Sequence, residues 1–256
     1  MNASASTSWC VRVVIPALDE EQSIGTVIDA IPRQWVTSIH VADNGSRDAT
    51  ASIARQHGAR VIEEPQRGYG SACLAAVADI VEVEPDAEGE IIVFLDGDLS
   101  DDPTQLGELI SPIIDDQADL VIGSRVLGTS EPGALSPQQR LGNLLATFLI
   151  RRLFGFHYSD LGPFRAIRRD RFEQLGMQDQ DFGWTVEMQV KAVQSRFRVR
   201  EIPVPYRRRI GQSKISGTVL GSIRAGVKIL RVIFRAALSG TRPEVTDASL
   251  CSVGKR

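Results

Sequence analysis

The stretch IIVFLDGDLSDD, residues 91–102, decides the fold of this chain. Its first five residues are apolar and three of them are β-branched, a composition typical of a strand that is buried on both faces. Two acidic residues, Asp96 and Asp98, follow the apolar run and are separated by a single glycine. The stretch therefore predicts a core strand with two carboxylates at its carboxyl end.

Ligands of open α/β sheets bind beyond the carboxyl ends of the strands. Carboxylates two residues apart at that edge can share a hard divalent cation, Mg²⁺ or Mn²⁺, that also binds a diphosphate. Asp and Gly are also common in solvated turns for local backbone reasons, so the spacing of Asp96 and Asp98 alone is a weak signal. The buried strand before them favours a metal and nucleotide-sugar site.

Strand-like and helix-like segments alternate along the first 125 residues. Short β-rich runs at 11–17, 38–42, 60–64 and 119–124 are separated by segments with the apolar spacing of helices. Asp19 stands where it could cap the first of these helices. The alternation predicts an α/β fold with a doubly wound, mostly parallel sheet flanked by helices.

The second half of the chain is less regular. Apolar periodicity predicts helices at 137–153 and 183–195, and a short strand is expected at 199–205. The segment SDLGPFRAI, residues 159–167, is predicted to be irregular. A last helix, 218–238, carries apolar and basic residues at helical spacing.

The chain has 256 residues, 43% of them hydrophobic, which suffices for the core of one large domain. We assign residues 9–215 to that domain, 216–238 to an appended amphipathic helix, and 1–8 and 239–256 to disordered tails. The net charge of −3 argues against a nucleic-acid-binding protein. The region from Arg196 to Arg235 is nevertheless strongly basic, which predicts an anionic partner such as a membrane surface.

Cellular setting is indicated by three features of the sequence. The three cysteines are far apart in the sequence, which favours a reduced, cytoplasmic setting. The first residues lack the basic region and apolar run of a signal peptide, so none is expected. The longest apolar run, 141–150, is shorter than the ~20 residues that cross a bilayer. We expect a cytoplasmic protein, peripheral at the inner face of the membrane if it binds lipid.

Three loops at strand ends carry candidate ligand-binding residues: PALDE at 16–20, DNGS at 43–46 and DGD at 96–98. Together they resemble the family 2 glycosyltransferases of the GT-A fold, and the resemblance extends from about residue 11 to residue 235. In that family the first two loops hold the nucleoside, and the Asp-x-Asp holds the metal and the diphosphate. The resemblance implies that Asp43 accepts a hydrogen bond from the base and that Asp98, with Asp96, binds the metal. The other donor-site residues it implies are Pro16, Ala17, Asp19, Glu20, Asn44, Gly68, Gly70 and Gly97.

The loop RGYG, residues 67–70, carries two of those glycines. Because Gly68 and Gly70 have no Cβ, the backbone there can come close to a ligand. The loop resembles the Gly-rich segment after the third strand in the same transferases, which lines the donor site.

Later motifs resemble one group within that family, the polyprenol-phosphate hexosyltransferases that include the dolichyl-phosphate mannose and glucose synthases. These motifs are Gly123-Ser124-Arg125, Arg140, Asp160 to Arg165, the helix with Trp184 and Glu187, and Arg209 to Lys214. The cationic side chains and the glycine of the last motif suit the binding of a diphosphate. The resemblance implies that Arg209, Ser213 and Lys214 bind the diphosphate of the donor. It also implies that Arg125 and Arg140 bind the acceptor phosphate.

Asp160 and Glu187 are candidate catalytic bases. A phosphate acceptor is already anionic near neutral pH, so it needs positioning and charge neutralisation more than deprotonation. A sugar hydroxyl would need a base. For either residue, a buried structural carboxylate is an equally good interpretation.

The sequence departs from the pattern of this group in two places. After the second aspartate the group often has Leu-Gln-His-Pro, whereas this chain has Leu-Ser-Asp-Asp-Pro, so the poorer metal ligand Ser100 stands in place of glutamine. Many relatives carry membrane helices after the catalytic domain, and this sequence shows none.

These features predict an inverting, metal-dependent transfer of a hexose from GDP-mannose or UDP-glucose to a polyprenyl phosphate, with the basic helix at an anionic membrane surface. The same helix could instead pack on the core with its charges in solvent. The acceptor could also be a soluble glycan or a small-molecule hydroxyl, and the protein could be a non-catalytic module that binds nucleotide sugar or membrane. An aspartyl phosphatase is disfavoured because four strand-like segments precede the Asp-x-Asp.

Overall fold

A computed structural model describes residues 9–83, 89–211 and 219–238, with side chains from residue 226 onward in the last of these segments. Within these residues, seven strands form one mixed sheet in the order β3-β2-β1-β4-β6-β5-β7. The strands are β1 (Cys10–Ala17), β2 (Ser38–Asp43), β3 (Arg60–Glu63), β4 (Glu90–Phe94), β5 (Leu120–Ser124), β6 (Arg165–Arg168) and β7 (Val199–Pro203).

Helices cover both faces of the sheet, each over its own cluster of buried apolar side chains. One face carries α3, α5, α6, α7 and α8, and the other carries α1, α2 and α4. The α/β class and the mostly parallel, doubly wound sheet predicted from the sequence are thereby confirmed. The helices are α1 (Ile24–Ala30), α2 (Thr50–Gln56), α3 (Tyr69–Val83), α4 (Leu106–Ile114), α5 (Pro137–Phe154), α6 (Arg169–Leu175), α7 (Trp184–Gln194) and α8 (Val219–Leu238).

The parallel order of β3, β2, β1 and β4 follows from the helical crossovers between them. Strand β6 runs antiparallel to both of its neighbours, β4 and β5. The prediction that residues 159–167 are irregular is therefore wrong for the end of that segment. Because β6 is short and has an arginine at each end, its sequence lacks the alternation of apolar and polar residues that would predict a strand. The strand forms because β4 and β5 pair with its backbone.

The start of α1 also differs from the prediction, because the helix begins at Ile24 and not next to Asp19. Asp19 has a left-handed backbone, with φ of 51°, and its Oδ1 accepts a hydrogen bond from Arg47 N at 2.7 Å. Its own N–H donates to Ser46 Oγ at 2.9 Å. The carboxylate predicted to cap a helix therefore joins the first two ligand loops to each other.

Helix α8 packs on α5 and α7 through the buried Ile233. Lys228 Nζ lies 3.1 Å from Asp179 Oδ2, a second attachment to the body of the protein. Arg231 and Phe234 are exposed on the other side. The helix thus packs on the core with one face and keeps a basic and apolar face outside. In the described residues, none of the helices has both the length and the apolar character that crossing a bilayer requires.

His40 is the third residue of β2, pairs with Val14 of β1 and is 3% exposed. Its Nδ1 is 3.1 Å from Asp79 Oδ2, and its Nε2 is 2.7 Å from Ser38 Oγ. Burial lowers the pKa of His40, and the charges of Arg12 and Arg60 lower it further, which outweighs the opposing effect of Asp79. The folded protein therefore favours the neutral imidazole.

We expect the free energy of unfolding to fall as the pH is lowered through the ordinary histidine pKa of about 6.5. The unfolded chain then takes up a proton at His40 that the folded protein resists, because the folded-state pKa is the lower one. His40→Gln should remove this part of the pH dependence. Urea unfolding at about pH 7.5 and about pH 5.5 measures it.

His57→Gln provides the control, because that imidazole is one-third exposed and pairs with the exposed Asp29. The control variant should keep the wild-type difference between the two pH values. A wild-type difference in His40→Gln would contradict the assignment of the buried neutral imidazole.

Candidate active site

The carboxyl ends of β1, β2 and β4 lie side by side because these strands are neighbours in the parallel part of the sheet. A pocket of ≈ 370 Å³ opens at that edge, within the usual size range of ligand sites. Its lining residues are Pro16, Ala17, Leu18, Glu20, Asn44, Arg67, Gly68, Tyr69, Ala72, Asp96, Gly97, Asp98, Asp181, Phe182 and Arg209. We call this the donor pocket.

Most of the described residues that were predicted to bind the donor thus line one pocket, whereas Asp19, Asp43 and Gly70 are not part of its lining. Asp43 is 8% exposed, and its Oδ1 accepts a hydrogen bond from Ser46 N at 3.2 Å. Ser213 and Lys214 lie outside the described residues. Arg209 is the described residue of the predicted diphosphate-binding loop that lines the pocket.

Asp96 and Asp98 follow β4 at the floor of this pocket. Asp98 accepts the N–H of Ser100 on Oδ1 at 2.9 Å, and its Oδ2 lies 2.9 Å from the guanidinium of Arg209. Asp96 accepts a hydrogen bond from the hydroxyl of Tyr69 at 3.0 Å. Each carboxylate is therefore held by a named donor and has little freedom to turn away from the pocket.

The backbone after Asp98 is strained, because Leu99 has a φ of 62° and is not a glycine. A left-handed backbone at such a residue costs about 1–3 kcal/mol and persists where surrounding contacts impose it. Two backbone hydrogen bonds fix the turn: Ile210 N donates to Asp98 O at 2.9 Å, and Arg207 N to Ser100 O at 2.8 Å. The carboxylates thus sit on a rigid turn.

Burial and the nearby charge of Asp98 raise the pKa of Asp96 to about 7. A cation between two such carboxylates removes that repulsion, and hard oxygen ligands suit Mg²⁺ or Mn²⁺. In the described part of the chain, no group of three or more His, Cys, Asp or Glu side chains could hold a metal ion. Asp96 and Asp98, which line the same pocket, would supply two carboxylates to such a cation, with phosphate oxygens and water as its other ligands, as is common for Mg²⁺.

The two glycines of the RGYG loop are required by the protein's own backbone. A Cβ at Gly68 would collide with the carbonyl oxygen of Gln180, and one at Gly70 with that of Asp179. Ser71 N donates to Gln180 O at 3.0 Å, which fixes this contact. The close approach predicted for a ligand is thus made by residues 179–180, although Gly68 also lines the pocket.

Glu187 holds the same segment from the other side. Its carboxylate accepts hydrogen bonds from Gln178 N at 3.1 Å and from Asp179 N at 2.7 Å, and it pairs with Lys191 Nζ at 2.7 Å. These contacts support the structural interpretation of Glu187. They also bring the following residues, Asp181 and Phe182, into the wall of the donor pocket.

A second pocket, of ≈ 430 Å³, opens beyond the end of β5, and we call it the acceptor-side pocket. It contains both arginines that the sequence predicts for an acceptor phosphate. Its lining residues are Arg125, Val126, Gly128, Ser130, Leu135, Gln139, Arg140, Asn143, Leu144, Thr147, Ser159 and Asp160.

Arg125 and Asp160 form a buried bidentate pair in this pocket. Arg125 Nε donates to Asp160 Oδ2 at 2.7 Å and Nη2 to Oδ1 at 2.8 Å, and the backbone N of Arg125 donates to Oδ2 at 2.9 Å. Burial alone would raise the pKa of Asp160, but the hydrogen bonds and charge of Arg125 hold it below its ordinary value. Asp160 is therefore a weak base in this arrangement, and it orients Arg125.

The loop that carries Asp160 is fixed by two distant side chains. Glu201 accepts the N–H groups of Ser159 at 2.9 Å and of Asp160 at 3.1 Å. Asn143 accepts the N–H of Leu161 at 2.9 Å and donates to Ser159 O at 3.1 Å. Strand β7 and helix α5 thus hold this loop between them, so the position of Arg125 is set by the tertiary structure.

Two side chains near the site have no role in the sequence-based predictions. Tyr69 lies between the two glycines of the RGYG motif, and the motif predicts a role for the glycines alone. Asp101 is fully buried, and both of its carboxylate oxygens lack a hydrogen-bond partner among the described residues. Burial and the charge of Asp96 raise its pKa well above the ordinary value, which favours the neutral acid. Its backbone forms an isolated β-bridge with the distant Tyr206, a contact that no local sequence pattern indicates.

Comparison with known proteins places the chain in a family. The sequence profile of the family described as "Glycosyl transferase family 2" matches residues 12–176. An uncharacterised glycosyltransferase of Mycobacterium tuberculosis is 37% identical over 226 residues, covering 87% of this chain and 97% of that protein. The dolichyl-phosphate hexose transferase of Haloferax volcanii is 31% identical over 230 residues, covering 89% of this chain and 96% of that protein.

Solved structures show the same fold. The crystal structure of glucosyl-3-phosphoglycerate synthase from Mycobacterium tuberculosis, in complex with Mn²⁺, uridine diphosphate and glucosyl-3-phosphoglycerate, superimposes with a TM-score of 0.68 at 21% sequence identity. The match covers 94% of this chain and 84% of that one. With the fold, the strand-end carboxylates and the relatives in agreement, this chain belongs to glycosyl transferase family 2 and is a glycosyltransferase.

Proposed function

We propose that the protein transfers a hexose from a nucleotide diphosphate sugar, GDP-mannose or UDP-glucose, to a polyprenyl phosphate at an anionic membrane surface. The observation that carries this proposal is the setting of the acceptor-side pocket, which is lined by Arg125 and Arg140 and has an exposed apolar helix face beside it. A phosphate joined to a long apolar chain is the ligand that matches both features.

The donor pocket supports the first half of the proposal. Glu20, Asn44 and Gly97 line it, and Asp96 and Asp98 form its floor. A divalent cation held by these two aspartates would neutralise the diphosphate as it leaves the sugar. Asp43, Ser213 and Lys214 remain part of the proposed donor site, with Asp43 reading the base and the other two the diphosphate.

Helix α5 supports the second half. Leu141, Leu144, Leu145 and Phe148 are 67%, 66%, 45% and 59% exposed, and their spacing places them on one face of the helix. Contiguous apolar surface of this kind marks a contact with lipid or with another apolar partner. Because Leu144 also lines the acceptor-side pocket, the apolar face is continuous with the proposed phosphate site.

Membrane contact would also involve the outer face of α8, on which Arg231, Phe234 and Arg235 are exposed. Helices α5 and α8 are packed against each other, so their exposed faces are close neighbours. Exposed cations beside exposed apolar side chains suit a surface with anionic head groups and an apolar interior.

The proposed reaction is a single displacement with inversion. An oxygen of the acceptor phosphate forms a bond to the anomeric carbon, while the bond from that carbon to the diphosphate oxygen breaks. No proton has to move, because the acceptor oxygen is already anionic near neutral pH. The contacts of Asp160 and Glu187 agree with this chemistry, since both carboxylates are held by hydrogen bonds and ion pairs.

Asp98→Asn should abolish metal-dependent sugar transfer and donor hydrolysis, because it removes half of the carboxylate charge available to the cation. We expect a fall of at least about 100-fold, since charge neutralisation by a metal is worth several kcal/mol in the transition state. The melting temperature should change little, because the asparagine oxygen can still accept the Ser100 N–H. Initial rates with Mn²⁺, Mg²⁺ and excess chelator measure the effect.

Asp115→Asn, at an exposed carboxylate at the end of α4, provides the matched control and should keep wild-type rates. Full activity of the wild-type protein in excess chelator would contradict the metal assignment.

Arg140→Gln should weaken transfer to a short polyprenyl phosphate and leave nucleotide-sugar affinity unchanged, because this exposed side chain borders the acceptor-side pocket. We expect the KM for the acceptor to rise by about tenfold, the value of a charge-assisted hydrogen bond of ~1.5 kcal/mol. Steady-state kinetics with the acceptor varied, and calorimetry with the nucleotide sugar, separate the two sites.

Arg152→Gln removes the same charge from the exposed far end of α5 and should leave both values as in the wild type. If the protein transfers sugar to a soluble hydroxyl and ignores polyprenyl phosphate, the acceptor assignment is wrong, and the alternative of a soluble glycan or small molecule is supported.

Leu144→Ser combined with Phe148→Ser should reduce binding to vesicles of phosphatidylglycerol and phosphatidylcholine by several-fold, because each change removes exposed apolar surface that would enter the lipid. Binding of the wild-type protein should also weaken as salt is added, because part of the attraction is screened. Co-sedimentation measures both effects.

Trp35→Ser serves as the control, since this half-exposed side chain packs next to α4 on the opposite face of the sheet. Equal vesicle binding by the double variant and the wild type would remove α5 from the proposed membrane contact.

A further inference from the structure

The guanidinium of Arg209 lies between two acidic side chains of the donor pocket. Its Nη2 atom is 2.9 Å from Asp98 Oδ2 and 3.4 Å from Glu20 Oε1. Both carboxylates are more than nine-tenths buried, whereas the arginine side chain is one-third exposed. An arginine in this place neutralises charge at the position where the proposed function needs a divalent cation.

The two oxygens of Asp98 have different partners. Oδ1 accepts the Ser100 N–H, which belongs to the same rigid turn, whereas Oδ2 faces the guanidinium of Arg209. A divalent cation and a guanidinium at one carboxylate oxygen would repel each other at close range. A metal ion that uses Oδ2 must therefore displace Arg209 from it.

The surrounding backbone allows this displacement without a movement of the loop. Ile210 N donates to Asp98 O, and Arg207 N donates to Ser100 O, so the loop that carries Arg209 is tied to the turn that carries Asp98. The neighbouring Arg207 pairs with Asp102 at 2.6 Å. The side chain of Arg209 is about one-third exposed, so its guanidinium has room to turn toward a new anion.

We propose that Arg209 is the counter-ion of Asp98 before the donor binds, and that donor binding exchanges cations at this carboxylate. The metal ion takes Asp98 Oδ2, Arg209 moves from that oxygen to the donor diphosphate, and Glu20 keeps the guanidinium within reach of both. The proposal rests on the proposed function for the identity of the donor, and it adds a second task to Arg209.

This exchange has a consequence for binding affinities. A metal ion alone must compete with Arg209 and offers it no new partner, so it binds weakly. A metal ion that arrives with a nucleoside diphosphate supplies phosphate oxygens for the displaced guanidinium. Metal and nucleotide therefore favour each other's binding, and this coupling depends on Arg209.

Arg209→Gln should change the two affinities in opposite directions. Binding of Mn²⁺ alone should become roughly tenfold tighter, because one charge-assisted contact to Asp98 no longer competes. Binding of Mn²⁺ together with a nucleoside diphosphate should become weaker, because the diphosphate loses a cation. A residue that only binds diphosphate would change the second affinity and not the first.

The experiment measures free Mn²⁺ by electron paramagnetic resonance while the metal is titrated into the full chain, with and without UDP or GDP. Arg207→Gln is the matched control, since it removes the same charge from the same loop but leaves the Asp98 pair intact. It should change the affinity for Mn²⁺ alone by less than about twofold, the effect of a screened nearby charge. Arg209→Lys keeps a cation beside Asp98 and should stay close to the wild type.

The proposal is wrong if Mn²⁺ alone binds Arg209→Gln no more tightly than it binds Arg207→Gln, or if Arg209→Lys behaves as Arg209→Gln does. In that case normal binding of Mn²⁺ with a nucleotide would still support the proposed function. Failure of the wild-type protein to bind Mn²⁺ with either nucleotide would overturn both the proposed function and the cation exchange.

Discussion

The placing of two neighbouring carboxylates, Asp96 and Asp98, at the end of β4 is the constraint on which the rest of the site depends. Burial, together with the nearby charge of Asp98, raises the pKa of Asp96 to about 7. Burial also makes the repulsion between the two carboxylates costly, so the surrounding elements supply donors and positive charge. The Tyr69 hydroxyl, the Ser100 N–H and the Arg209 guanidinium come from three different parts of the chain, and each serves this one need.

In the acceptor-side pocket the roles of acidic and basic groups are reversed, because there a carboxylate holds an arginine in place. Arg125 is oriented by both oxygens of Asp160, and Asp160 is in turn held in a loop bound by Glu201 and Asn143. A buried pair of this kind leaves the arginine in a fixed place with part of its charge available. The two pockets thus divide the work of the proposed reaction, one neutralising a leaving diphosphate and the other positioning an attacking phosphate.

Both candidate bases are engaged in holding the structure, which has a chemical consequence. Asp160 orients Arg125, and Glu187 binds the N–H groups of residues 178 and 179 and the amine of Lys191. An acceptor that arrives already ionised needs neither of them as a base. The exposed apolar face of α5 beside the same pocket is the surface on which the chain of a lipid-linked phosphate would lie, and the packed helix α8 extends that surface.

The sequence by itself determined the α/β class, the buried strand with its two aspartates, and most of the donor pocket, because these depend on local composition and on strand ends that a parallel sheet brings to one edge. Only the tertiary structure decided the antiparallel strand β6 and the roles of the carboxylates. Arg209 and Glu20 are 189 residues apart, and the backbone at 179–180 packs on Gly68 and Gly70 from over 100 residues away. Periodicity and propensity report on neighbours along the chain, whereas burial, charge pairing and the partner of a given carboxylate depend on contacts that exist only after the chain has folded.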